Sequence, residues 1–146
     1  MLDRLEVQLL HPDAQLPERS RGGDAAFDLR AVEPFVVEPG GRRTVGTGIA
    51  IAVPDGYAGL VLPRSGLAAN HGVTTLNGPG LIDPGYRGEC RVVLHNSGSE
   101  PYAGEAGDRV AQLLLVPCAL PLVCAAAELP PSSDGRGASG FGSSGR

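Results

Sequence analysis

The chain has 146 residues, 12 of them cationic and 16 anionic, for a formal charge of −4, and every cation is an arginine. Its 22 glycines and 13 prolines exclude a helical bundle, since inside a helix glycine costs about 1 kcal/mol and proline about 3. The acidic balance excludes a general nucleic-acid coat, which needs a basic surface.

The length fits one domain able to bury its own core. Met1 to Leu10 carries Asp3, Arg4 and Glu6 where a secretion signal needs unbroken apolar residues. The run from Leu113 to Ala127 is interrupted by Pro117 and Pro121 and is too short to span a bilayer. A cytoplasmic protein without membrane or nucleic-acid partners is expected. Cys90, Cys118 and Cys124 form no CxxC pair, and His11, His71 and His95 are scattered, so a zinc site is not expected.

In chain order, Leu5, Val7 and Leu9 alternate with Glu6, Gln8 and Leu10, which is strand periodicity. Ala25 to Arg30 repeats the pattern. Strands follow at Phe35 to Val37, Thr44 to Val53 and, after the Pro54-Asp55-Gly56 turn, Tyr57 to Leu62. A helical turn or two is expected around Leu67 to Asn70. Val73 to Leu76 and Leu81 to Ile82 flank Asn77-Gly78-Pro79-Gly80, which predicts a hairpin. Glu89 to His95, Val110 to Val116 and Leu120 to Ala127 complete an all-β chain of sandwich, barrel or jelly-roll type. Its strongly apolar last strands and six aromatics suggest that association buries further surface.

The stretch from Pro130 to Arg146 contains five glycines, five serines and two prolines among 17 residues, a composition that forms no core and should be mobile when free. It twice matches G-x-G-x-x-G, from Gly135 to Gly140 and from Gly140 to Gly145, but neither match follows a strand or opens a helix. Glycine amides, hydroxyls and Arg136 can still converge on phosphate oxygens, and Phe141 offers a face for a base. A plain solubilising tail is the competing reading.

Four further segments carry chemistry. Pro63-Arg64-Ser65-Gly66-Leu67-Ala68 sets an arginine and a hydroxyl at a possible helix start, where amides attract phosphate. Gly80 to Gly88 places Asp83 three residues before Tyr86. Gly23 to Arg30 and Gly107 to Leu113 are the other two. In this order, with the tail, the five segments resemble the five motifs of the trimeric dUTPase family (deoxyuridine triphosphate nucleotidohydrolases), and the resemblance runs from about Leu5 to Gly145. Two departures are Ala26, where the family usually has glycine, and Arg91, where it often has lysine.

The resemblance implies a homotrimer of jelly-roll-like β-clip subunits. Residues 1–129 would form the β domain, and residues 130–146 a flexible arm closing a neighbouring site. The implied reaction is hydrolysis of dUTP to dUMP and pyrophosphate by water attacking the α-phosphorus. That reaction limits uracil incorporation into DNA and supplies dUMP for dTMP synthesis. Asp83 is the implied general base. Asn77 would pair with the uracil edge beside Leu81, Ile82 and Asp83, and Tyr86 would pack under the deoxyribose where a 2′-hydroxyl clashes. Arg64, Ser65 and Gly66 would bind the α- and β-phosphates with Gln112 adding a donor. Arg91 either reaches substrate or is a solvated strand charge, and Arg109 is assigned to a structural ion pair within the trimer rather than to direct phosphate contact. In the arm, Arg136 and Ser143 would meet the γ-phosphate, Phe141 would stack on uracil, and Gly142 lies between them. Mg²⁺ is the implied cofactor, bound mostly by phosphate and water oxygens, with Asp28 holding metal-bound water. A dCTP deaminase of the same superfamily and a non-catalytic nucleotide-binding trimer are the alternatives.

Overall fold

The computed structural model describes residues 4–135, 137 and 138. Ten strands and one short helix are seen among them: β1 (Glu6–Leu9), β2 (Phe27–Arg30), β3 (Phe35–Val37), β4 (Arg42–Ala52), β5 (Tyr57–Leu62), α1 (Ser65–His71), β6 (Val73–Thr75), β7 (Gly80–Ile82), β8 (Glu89–Asn96), β9 (Tyr102–Gly104) and β10 (Arg109–Pro117). They form two four-stranded sheets, ordered β1-β4-β8-β6 and β2-β10-β5-β7, and a small β3-β9 pair. All pairings are antiparallel. This is the expected all-β, jelly-roll-like subunit.

Alternation along the strands sets the core. In β8, Cys90, Val92, Leu94 and Asn96 point inward while Arg91 faces solvent. Leu29, Ile49, Ile51, Leu113 and Val110 join them in one buried cluster. Asn96 is polar yet fully buried, and its Nδ2 donates to the carbonyls of Val37 at 2.9 Å and Glu100 at 2.8 Å. Its Oδ1 accepts the Gly98 N–H at 2.8 Å, so burial leaves it satisfied. The β4–β8 register shifts between Gly46 and Ala50, where Gly48 has φ +65° and its N–H donates to Glu89 Oε1 at 2.9 Å.

Two expectations are corrected. β6 and β7 do not form a hairpin: β6 pairs with β8 and β7 with β5, so the Asn77–Gly80 turn carries the chain from one sheet to the other. Turn chemistry bends the chain locally but does not choose a strand's partner. Leu120 to Ala127 is not a strand, and Leu120, Leu122 and Val123 are 80, 93 and 98% exposed. After Pro117 the chain leaves the sheet and joins no strand, although β2 covers β10 only as far as Leu113.

Burial, and secondarily the Glu89 carboxylate, pushes the Cys90 thiol up to about 11. A raised folded pKa means the native state holds this proton more tightly than the unfolded chain. Its contribution is therefore complete below the unfolded thiol's value near 9.0 and is lost as pH rises towards 11. Thermal melts should show Tm falling between those limits more steeply for the unaltered chain than for Cys90→Val. Equal slopes would contradict this assignment.

Candidate active site

The first half of the site is built where β2, β10 and the start of α1 meet. β10 lies between β2 and β5, with Gln112 in register with Asp28 on one side and Leu62 on the other. In a regular strand, residues 109 and 112 would face opposite ways. The register shift between Arg109 and Ala111 brings Arg109 back to the carboxylate that Gln112 opposes. Arg109 Nη1 lies 3.3 Å from Asp28 Oδ2, and Arg64 Nε lies 3.8 Å from Oδ1. Arg64 Nη1 also donates to the Arg109 carbonyl at 2.9 Å, which fixes the guanidinium of a half-buried side chain.

These groups border an open, polar cavity of about 510 Å³ that includes Arg64, Ser65, Gly66, Gln112 and Asp28. No side chain caps the helix at Arg64, which leaves its first-turn N–H groups open to an anion. A Cβ at Gly66 would meet no atom within 4 Å, so the fold itself does not demand glycine there. Gln112 Nε2 donates to the Pro63 carbonyl at 2.9 Å and so also positions the loop that carries Arg64.

The second half surrounds β7. A smaller cavity of about 170 Å³ is lined by Asn77, Leu81, Ile82, Tyr86 and Arg91, among others. It is below the roughly 300–1,000 Å³ of a typical small-molecule pocket and suits a fragment such as a base better than a whole triphosphate. β7 is the edge strand of its sheet within this chain, so part of its backbone polar groups face away from β5 without a strand partner. Leu81, 64% exposed, lies on that edge, whereas Ile82 is buried.

Tyr86 is held in a defined pose: its hydroxyl donates to the Glu89 carbonyl at 3.0 Å and its N–H to the Asp83 carbonyl at 3.1 Å. A Cβ at Gly88 would come within 2.4 Å of the Tyr86 hydroxyl oxygen, so this close approach requires glycine. Asp83 is exposed at the end of β7, and among the described residues no hydrogen bond or ion pair engages its carboxylate. Arg91 is 60% exposed and pairs with Glu89 at 3.3 Å.

Thus Arg64, Ser65, Gly66, Gln112 and Asp28 come together, as do Asn77, Leu81, Ile82, Tyr86 and Arg91. The two cavities share no lining residue. Arg136, Phe141, Gly142 and Ser143 lie outside the described residues. Arg109, expected to pair within the trimer, has Asp28 of its own chain as its ion-pair partner. Sequence reasoning missed Ser20, whose hydroxyl donates to Asp28 Oδ2 at 2.8 Å, and the role of Gly88 under the Tyr86 ring. The Gly88 contact was signalled only by the two-residue spacing after Tyr86.

Comparison with known proteins gives these features a family. The dUTPase family model matches residues 12–145. The deoxyuridine 5′-triphosphate nucleotidohydrolase of Leifsonia xyli subsp. xyli is 47% identical over 146 residues, covering 99% of this chain and 93% of that protein. Among solved structures, the Staphylococcus bacteriophage 80alpha dUTPase with dUpNHpp superposes with a TM-score of 0.91 at 30% identity, covering 99% of each chain. A mutant dUTPase from phage phi11 of S. aureus, described for its coordination of a structural Mg(II) ion, gives a TM-score of 0.81 at 28% identity over 86% of this chain and 98% of that one. Matched by the family model over residues 12–145 and by a curated relative over nearly its whole length, the chain belongs to the dUTPase family.

Proposed function

We propose that this chain hydrolyses dUTP to dUMP and pyrophosphate, with each active site built from more than one copy of the chain. The observation that carries the reading is the pair of complementary half-sites. One is a polar cavity with Arg64, Ser65 and Gly66, and the other a base-sized cavity along a free strand edge that ends at Asp83. Arg64, the Ser65 hydroxyl and the open helix amides grip the α- and β-phosphates, and Gln112 steadies their loop. The β7 edge and the Asn77 amide read the uracil ring, where a cytosine would leave polar groups unpaired. Tyr86, fixed over Gly88, closes the space that a ribose 2′-hydroxyl needs. Asp83 orients a water and takes its proton as the water's oxygen bonds to the α-phosphorus and pyrophosphate leaves.

Among the described residues no three His, Cys, Asp or Glu side chains converge on one point to cage a cation. The donor set does fit Mg²⁺ held mainly by phosphate and water oxygens, because among the described residues Asp28 Oδ1 has Arg64 at 3.8 Å as its ion-pair partner, leaving that oxygen able to accept from metal-bound water. A bound ion there would supply positive charge to offset that of the phosphates.

A homotrimer supplies the second half-site and a surface for the exposed Leu120, Leu122 and Val123. Residues 1–129 serve as the β domain and residues 130–146 as an arm that closes a neighbour's site with Arg136, Phe141, Gly142 and Ser143. Arg91 contacts the nucleotide at the rim of the base cavity. The absence of any disulfide among the described residues fits a cytoplasmic enzyme. Incubation with dUTP and dCTP separately tests the reaction: pyrophosphate from dUTP is expected, and ammonia release from dCTP would overturn the reading in favour of a deaminase.

A further inference from the structure

We infer that Ser20, outside the five motif segments, is a positioning residue that sets the orientation of the Asp28 carboxylate for a hydrated divalent cation; the inference rests on the function proposed above. Ser20 closes a triangle with two charged groups. Its hydroxyl donates to Asp28 Oδ2 at 2.8 Å and accepts from Arg109 Nη1 at 3.0 Å, while the same Nη1 lies 3.3 Å from Oδ2. Oδ2 is thereby occupied twice, and Oδ1 is the oxygen left with the longer Arg64 contact of 3.8 Å.

Ser20 is not a stray surface contact. The Asp28 N–H donates to the Glu18 carbonyl at 2.8 Å, and the two residues form a bridge that lays the loop along β2. The Arg19 guanidinium sits 4.0 Å over the Phe27 ring. Beyond Ser20, the Arg21 N–H donates to Asp24 Oδ2 at 2.9 Å and the Asp24 N–H to the Arg21 carbonyl at 3.0 Å, closing a turn. Ser20 is thus pinned from both sides and borders the phosphate cavity. Without its hydroxyl the carboxylate is free to rotate, so that Oδ1 can turn from its long 3.8 Å contact into a close hydrogen bond with an arginine and is no longer held ready for metal-bound water.

The test is calorimetric titration of dUpNHpp into the full-length protein across a Mg²⁺ series, with a chelator control, for the unaltered chain, Ser20→Ala and Ser20→Thr. Ser20→Ala should raise the half-saturating Mg²⁺ concentration about five- to tenfold, the scale of one typical net hydrogen bond. Its Tm and its binding in chelator should stay those of the unaltered chain, and Ser20→Thr, which keeps the hydroxyl, should restore the Mg²⁺ response. An unchanged half-saturation in Ser20→Ala, or a loss equally large in chelator, would overturn the inference while leaving the proposed function standing. Failure of the unaltered chain to bind dUpNHpp would remove both.

Discussion

Asp83→Asn should bind dUpNHpp with the affinity of the unaltered chain and turn dUTP over about 10²- to 10⁴-fold more slowly, the usual contribution of a positioned general base. The substitution is clean because the turn after β7 is held by backbone: the Tyr86 N–H donates to the Asp83 carbonyl at 3.1 Å. Among the described residues the Asp83 carboxylate has no structural partner, so neutralising it breaks no ion pair. An amide keeps the shape and can still orient a water but cannot take its proton. Steady-state kinetics paired with calorimetry separates the two effects. Near-normal turnover would remove Asp83 from the mechanism, and lost binding with the surviving molecules fully active would make it a substrate grip instead.

Arg64→Ala should lower kcat/KM for dUTP by about 10²- to 10³-fold, as expected when one preorganised donor to developing phosphate charge is removed. Arg64 is prepared for that work before substrate arrives, with Nη1 on the Arg109 carbonyl at 2.9 Å and Nε towards Asp28 at 3.8 Å. Arg64→Lys should recover only part of the loss, since an ammonium cannot reproduce the planar fork that faces both partners. Steady-state kinetics on both variants checks this, with Tm measured alongside because Asp28 loses one of its two cations. A loss of only a few fold, or full rescue by lysine, would contradict the assigned role.

Much of this was legible in the chain because it is local. Phe35–Val37 and Tyr57–Leu62 were bounded by turn residues and their strand limits match expectation, and the helix begins at Ser65 where Pro63-Arg64 announced a start. What the chain hides is partner choice. Asn77-Gly78-Pro79-Gly80 has hairpin chemistry, yet its flanking strands belong to different sheets, because long-range pairing with β5 and β8 wins. Leu120 to Ala127 has a strand's apolar content but pairs with none of the sheet edges, because apolar content alone does not choose a partner. β9, with the sequence Tyr-Ala-Gly, lacks the β-branched and apolar run that marked Phe35–Val37; its glycine is required because a Cβ there would lie 2.3 Å from the Phe35 ring.

The site follows the same division. Arg64, Ser65, Gly66 and Asp83 could be singled out because each sits at the start or end of an element, where backbone polar groups are free. Ser20 could not, because it meets Asp28 only through the fold-back of the Glu18 loop. Arg109 gave a motif but not its direction, which depends on a strand irregularity two residues long.

The central claim is that the base-reading and phosphate-gripping halves of one working site come from different copies of the chain. Co-expressing Asp83→Asn and Arg64→Ala chains under separate tags, and purifying particles that carry both, tests it most directly. Each variant alone should be nearly inactive, while mixed particles should regain dUTP hydrolysis at the sites that draw Asp83 from one chain and Arg64 from the other. Mixed particles no more active than the sum of the two variants would contradict the account.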